Sequence, residues 1–151
     1  MKYSIDFLGA DNGKAGGVAN HNLRQDGYWE GNKKQLGFGI DPDKIDQNLV
    51  LVNKVVDIKT IIGGQKIQGG LQKKTQTHTL FSIQVGDMIS QLSREEYIKV
   101  YTEQVEFLKE EFGPENIRQA VIHFDETTPH LQVVMTNIKR ENISFSSISL
   151  K

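Results

Sequence analysis

The 151 residues include no cysteine. Disulfides and thiolate metal sites are therefore excluded, which agrees with a reducing compartment. No apolar run approaches the ~20 residues that a membrane-crossing helix needs. The opening MKYSIDFLGADNG has charged residues early and no long apolar core. It is expected to belong to the folded chain, not to a secretion signal. An excess of either charge is also missing, since the net charge is −1. Bulk charge thus gives no support for binding a polyanion, and any such binding must rest on a local patch. One local imbalance exists. Asp and Glu are absent from Ile58 to Gly86, a stretch that holds Lys59, Lys66, Lys73 and Lys74 and the near repeat GGQKIQGGLQKK. It reads either as a solvated loop or as an element that tracks phosphates, with those four lysines as the contacts.

What is present indicates a folded domain. The apolar fraction is 37% and the charged fraction 25%, and residues 1–151 read as a single domain with its own core. KYSIDFLG alternates as a strand. Gly13, Gly16 and Gly17 argue for a flexible entry into a short helix that carries His21 and Arg24. Residues 27–46 are loop-like, and NLVLVNKVVDIK reads as a strand or hairpin. THTLFSIQVGDMI is a further strand, with His78 as a strand or surface residue. Ser93 to Phe112 is the clearest helix. Ser93 and Glu96 form a capping box, and Gly113-Pro114 stop the helix. Tyr97, Tyr101, Val105, Leu108 and Phe112 fall on one apolar face. Strands are expected at 118–125 and 130–138. The pattern predicts an α+β fold with a central antiparallel sheet packed by helices.

The polar chemistry is concentrated in AVIHFDETTPHLQVVM, from Ala120 to Met135. Alternation places Ala120, Ile122, Phe124, Leu131, Val133 and Met135 on one face, to pack on the helix. Val121, His123, Asp125, His130, Gln132 and Val134 fall on the other. A four-residue loop from Glu126 to Pro129 would set Asp125 opposite His130 and His123 opposite Gln132. Opposed residues have Cβ atoms roughly 4.5–5.5 Å apart, and diagonal ones roughly 7–8 Å. His123, His130 and Gln132 could then close on one ion, with Asp125 orienting the His130 ring. Three protein ligands leave positions open for water or substrate. Manganese or magnesium is the first choice for imidazole and amide donors, and zinc is the alternative.

HFDETTPHLQ resembles the third motif of the Mob/Pre plasmid-mobilisation relaxases (the MobV type), within the HUH endonuclease group. His123, Asp125, Glu126, Thr128, Pro129 and His130 match that motif, and Gln132 stands where its last histidine is usual. HNLR, from His21 to Arg24, resembles the first motif, and NLVLV from Asn48 occupies the place of the second. The resemblance implies a ferredoxin-like HUH core. It also implies nicking and rejoining of one DNA strand at a plasmid or mobile-element origin of transfer, in the bacterial cytoplasm. Single-stranded or hairpin origin DNA is the implied partner. Family members are usually longer, with a C-terminal region used in oligomerisation, so this chain is expected to lack that part.

Many HUH enzymes attack with a tyrosine, but the second-motif position where one is usual holds Leu49. The resemblance therefore implies His21 as the nucleophile and a phosphohistidine product. Tyr28 is the rival hydroxyl, although Tyr28-Trp29 also suits packing. Arg24, about one helical turn on, is expected to hold a phosphate oxygen bidentately. Glu126 could orient His21 or add a metal contact. A second reading is a module that binds origin DNA or initiates replication, with nicking weakened by Gln132.

Overall fold

The computed structural model describes residues 3–25, 40–65, 75–86, 92–139 and 144–145. Five strands form one antiparallel sheet: β1 (Tyr3–Ala10), β2 (Leu49–Asn53), β3 (His78–Val85), β4 (Ile117–His123) and β5 (His130–Thr136). Their spatial order is β1-β3-β5-β4-β2. A small ribbon pairs β6 (Ile138–Lys139) with β7 (Ser144–Phe145). The helices are α1 (Asn12–Asn22), α2 (Ile58–Ile62) and α3 (Arg94–Phe112). The expected α+β architecture is the one observed.

One face of the sheet packs on α3. Tyr97, Tyr101, Val105 and Leu108 meet Phe81, Ile83, Ala120, Ile122, Leu131, Val133 and Met135 in a single apolar cluster. The side chains alternate as the sequence predicts, so each of these strands buries its apolar half here. Ser93 caps α3: its Oγ accepts from Glu96 N–H at 3.2 Å, and Glu96 Oε1 accepts from Ser93 N–H at 3.4 Å. Gly113 ends the helix at φ 88°, a conformation that favours glycine.

The opposite face is covered in part by α1. Ala15 and Ala19 pack on Ala10 and Val134, with Val18, Val56 and Leu80 around them. Asp11 caps the helix by accepting from Lys14 N–H at 2.8 Å. Gly13, Gly16 and Gly17 therefore lie inside α1 and do not form a flexible entry to it. Each costs roughly 0.5–1 kcal/mol against alanine in a helix interior. NLVLVNKVVDIK is likewise shorter as a strand than expected. It ends at Asn53, and Asp57 then caps α2 through Thr60 N–H.

The β4–β5 hairpin corrects one expectation. His123 pairs with His130, Ile122 with Leu131 and Val121 with Gln132. The ladder stops at His123 because the next two backbone donors turn away from β5. Phe124 N–H and Asp125 N–H both donate to Asn48 Oδ1, at 2.7 and 3.2 Å. Asp125 is thus not opposite His130, and Gln132 is not opposite His123.

Candidate active site

His123 is the last residue of β4 and His130 the first of β5, so the hairpin sets their rings side by side. His123 Nδ1 and His130 Nε2 lie 3.3 Å apart. Glu126, in the connecting loop, reaches both: its Oε2 is 3.0 Å from His130 Nε2 and 3.4 Å from His123 Nδ1. The other ring nitrogens fix the tautomers. His123 Nε2 lies 2.8 Å from Asn22 O, and His130 Nδ1 lies 3.0 Å from Thr128 O. A carbonyl oxygen only accepts, so both of these nitrogens carry protons. In neutral rings, His123 Nδ1 and His130 Nε2 are then bare lone pairs that face each other and a carboxylate oxygen. Three acceptors in that arrangement need a proton or a cation between them. Two imidazoles and one carboxylate suit a divalent transition ion, and the ring orientations are already set by backbone carbonyls. The three donor atoms lie within 4.8 Å of one another.

The electrostatics agree. Burial works against the Glu126 carboxylate, but its contacts with His123 and His130 outweigh that and hold it well below the usual carboxylate range. Burial also lowers His130, yet Glu126 and Thr128 O raise it overall above an ordinary imidazole.

A second network locks Glu126 in place. Arg24 takes the left-handed conformation, φ 57°, and is 7% exposed. Its Nε donates to Asp125 Oδ2 and its Nη2 to Asp125 Oδ1, both at 2.9 Å. Nη2 also donates to Glu126 Oε2 at 3.2 Å, and Nη1 to His21 O at 3.0 Å. Burial disfavours the guanidinium, but Asp125 and Glu126 raise its pKa overall. Asn48 completes the clasp: its Nδ2 donates to Asp125 Oδ2 at 2.9 Å.

Several expectations change here. Gln132, expected as the third ligand, donates from Nε2 to Ser82 Oγ at 3.2 Å across the β3–β5 pair, while Glu126 supplies the oxygen that meets both imidazoles. Asp125 does not orient His130, which Thr128 O does; it holds Arg24, which in turn donates to Glu126. A bidentate grip on phosphate does not match Arg24, because Asp125 takes that edge of the guanidinium. His21 sits in the last turn of α1, half-buried, next to the Asn22 carbonyl that orients His123. His78 is a fully buried strand residue, held between Thr77 Oγ1 and Val56 O. Lys59 is exposed on α2. Lys66, Lys73, Lys74 and Tyr28 lie outside the described residues. Asn48 and Asn22 were not singled out by their chemistry. The signal for Asn48 was its place at the head of NLVLV. For Asn22, the group that meets His123 is a backbone oxygen, which sequence does not mark.

The family model described as "Plasmid recombination enzyme", Mob/Pre, matches residues 11–149. This chain belongs to the Mob/Pre family. A Mob/Pre relative from Bacillus thuringiensis, named "Plasmid recombination enzyme", is 28% identical over 133 residues. That match covers 83% of this chain and 28% of the relative, so the chain spans little more than a quarter of it. Among solved structures, a Mn-bound MobM relaxase domain (MOBV; Mob_Pre) on pMV158 oriT DNA superposes with TM-score 0.76 at 18% identity. It covers 95% of this chain and 74% of that one. The same relaxase domain bound to 26-nucleotide oriT DNA gives TM-score 0.66 at 16% identity, with 95% and 74% coverage. The Mob/Pre fold is therefore common to these proteins. Among the described residues of this member, no helix is long and apolar enough to cross a membrane.

Proposed function

We propose that residues 1–151 form a relaxase catalytic domain that nicks and rejoins one DNA strand at an origin of transfer, in the bacterial cytoplasm. The observation that carries this reading is the convergence of His123 Nδ1, His130 Nε2 and a Glu126 oxygen on one point, beside the end of the helix that holds His21. His123, Glu126 and His130 would hold a divalent cation, with manganese the first candidate because the MobM relaxase structures are Mn-bound. When bound, it supplies positive charge to a non-bridging phosphate oxygen.

The chain's own residues do the rest. A neutral His21 imidazole attacks the scissile phosphorus, and the bond from phosphorus to the 3′ oxygen breaks in line. The 5′ phosphate is then joined to nitrogen, and the 3′ oxygen leaves and takes a proton from water. Return of that hydroxyl to phosphorus reseals the strand and releases His21. Arg24 acts as a positioning residue: it ties the His21 carbonyl to Asp125 and Glu126, so attacking helix and ligand loop move together. Lys59, Lys66, Lys73 and Lys74 are the proposed phosphate contacts along single-stranded or hairpin DNA.

The test is a labelled single-stranded oligonucleotide library incubated with the protein and manganese, then run on a denaturing gel. The expected result is a covalent adduct that is acid-labile, absent with chelator and absent in His21→Ala. Binding without any adduct would replace this reading with that of an origin-binding module.

A further inference from the structure

The nicking chemistry uses His21 and Arg24 but leaves the glycines of α1 unexplained. Neither Gly16 nor Gly17 has a positive φ. A Cβ built on either meets nothing within 4 Å. Packing and backbone geometry thus give no reason for glycine at these two helical positions, where alanine is the better helix former. Beside Gly16 is open space: a cleft of about 320 Å³ between α1 and the chain leaving β2. Gly16, Asn20 and Leu23 line it from one flank of the helix, Asn53 and Lys54 from the other side, and Gln119 from β4. Gln119 is buried and held by two hydrogen bonds, accepting from Asn22 Nδ2 at 3.0 Å and donating to Ala19 O at 3.1 Å.

We propose that this cleft is a nucleotide subsite, which takes one unpaired base of the DNA strand next to the phosphate presented to His21. The inference rests on the relaxase reading above. The volume falls at the small end of ligand pockets, roughly 300–1,000 Å³. The exposed amides of Asn20 and Asn53 offer the paired donor and acceptor that base edges match. Lys54, whose Nζ donates to Pro114 O at 3.5 Å, adds positive charge beside the cleft for the DNA backbone, and no carboxylate is among the described lining residues. Bare helix backbone at Gly16 lets a flat ring approach closely, with the Leu23 side chain as an apolar neighbour. Asn20 directly precedes His21, so the subsite lies in the same turn of α1 as the proposed nucleophile.

The test selects binders from a randomised single-stranded DNA library with the wild-type protein and titrates the best binder by fluorescence anisotropy. Gly16→Leu fills the cleft, and Asn53→Ala removes one exposed amide without touching α1. Melting curves confirm that both variants are folded. The expected result is at least a tenfold weaker affinity for Gly16→Leu and a smaller loss for Asn53→Ala. One selected position should also become degenerate when the library is reselected with either variant. An abasic nucleotide at that position should weaken wild type but add no further loss to Gly16→Leu. Equal affinity of both variants and wild type, or equal abasic losses in wild type and Gly16→Leu, would overturn the proposal. So would a wild-type selection that enriches no sequence. The His21-dependent adduct decides the relaxase reading separately, and it can form in every one of those cases.

Discussion

Glu126 meets both imidazoles through one oxygen, while Gln132 spends its amide N–H on Ser82. Glu126→Ala should lower manganese affinity by at least the roughly 10–100-fold that loss of an outer partner costs. Gln132→Ala should leave that affinity nearly unchanged. Calorimetric titration with manganese reads both, and a large loss in Gln132→Ala would return the amide to the ligand set. Asp125 lies outside the ligand group but holds Arg24 through both oxygens in a buried setting. Removing one partner of such a pair leaves an uncompensated buried charge, which costs about 3–5 kcal/mol. Asp125→Ala should therefore lower the unfolding free energy read from urea denaturation by that amount, and manganese binding should weaken because Arg24 no longer braces Glu126. Arg24→Lys should not substitute, since an ammonium cannot reproduce the two parallel bonds. A stable Asp125→Ala with intact manganese binding would show that the clasp is dispensable.

At the scale of elements, α3 is tied to the ligand loop by one phenol. Tyr101 OH donates to Pro129 O at 2.9 Å and accepts from Val85 N–H at 3.1 Å. Tyr101→Phe removes both bonds and should cost about 1–3 kcal/mol at neutral pH. Burial pushes the phenol up to about 12, against roughly 10 in the unfolded chain. The folded state is the one that holds the proton more tightly. Its contribution is complete below about pH 10 and is lost as pH rises through about 12. Urea midpoints measured across that window should fall more steeply in wild type than in Tyr101→Phe. Parallel slopes would mean the phenol ionises as freely in the folded state as outside it. The same elements show what was legible in the sequence. Alternation assigned Ile122, Leu131 and Val133 to the α3 face, and the capping box at Ser93 located the start of α3. The hairpin register was not legible. A slip of two residues keeps every side chain on its own face, so alternation cannot detect it. What decides the register is Asn48, 77 positions away from Asp125, and sequence spacing carries no record of that bond.

At the scale of the molecule, the candidate site joins parts of the chain that are remote in sequence. The ligands sit on one hairpin, but Arg24 reaches Asp125 across 101 positions, and the Asn22 carbonyl orients His123 across the same span. The ligand geometry therefore depends on α1 and β2 being docked, and the unfolded chain does not possess it. A cation that binds only the folded state stabilises it by mass action, about 2.7 kcal/mol at a hundredfold excess over Kd. For a chain of this size that corresponds to roughly 2–4 °C in Tm per kcal/mol. Manganese should raise the melting temperature by several degrees, and a chelator should reverse the shift. Glu126→Ala should lose the response and Gln132→Ala should keep it. Asp125→Ala should keep only part, because its hairpin ligands survive without their brace. A Tm that does not respond to manganese in wild type would mean that the three acceptors share a proton and no metal. The nicking chemistry proposed for this domain would then lack its source of positive charge.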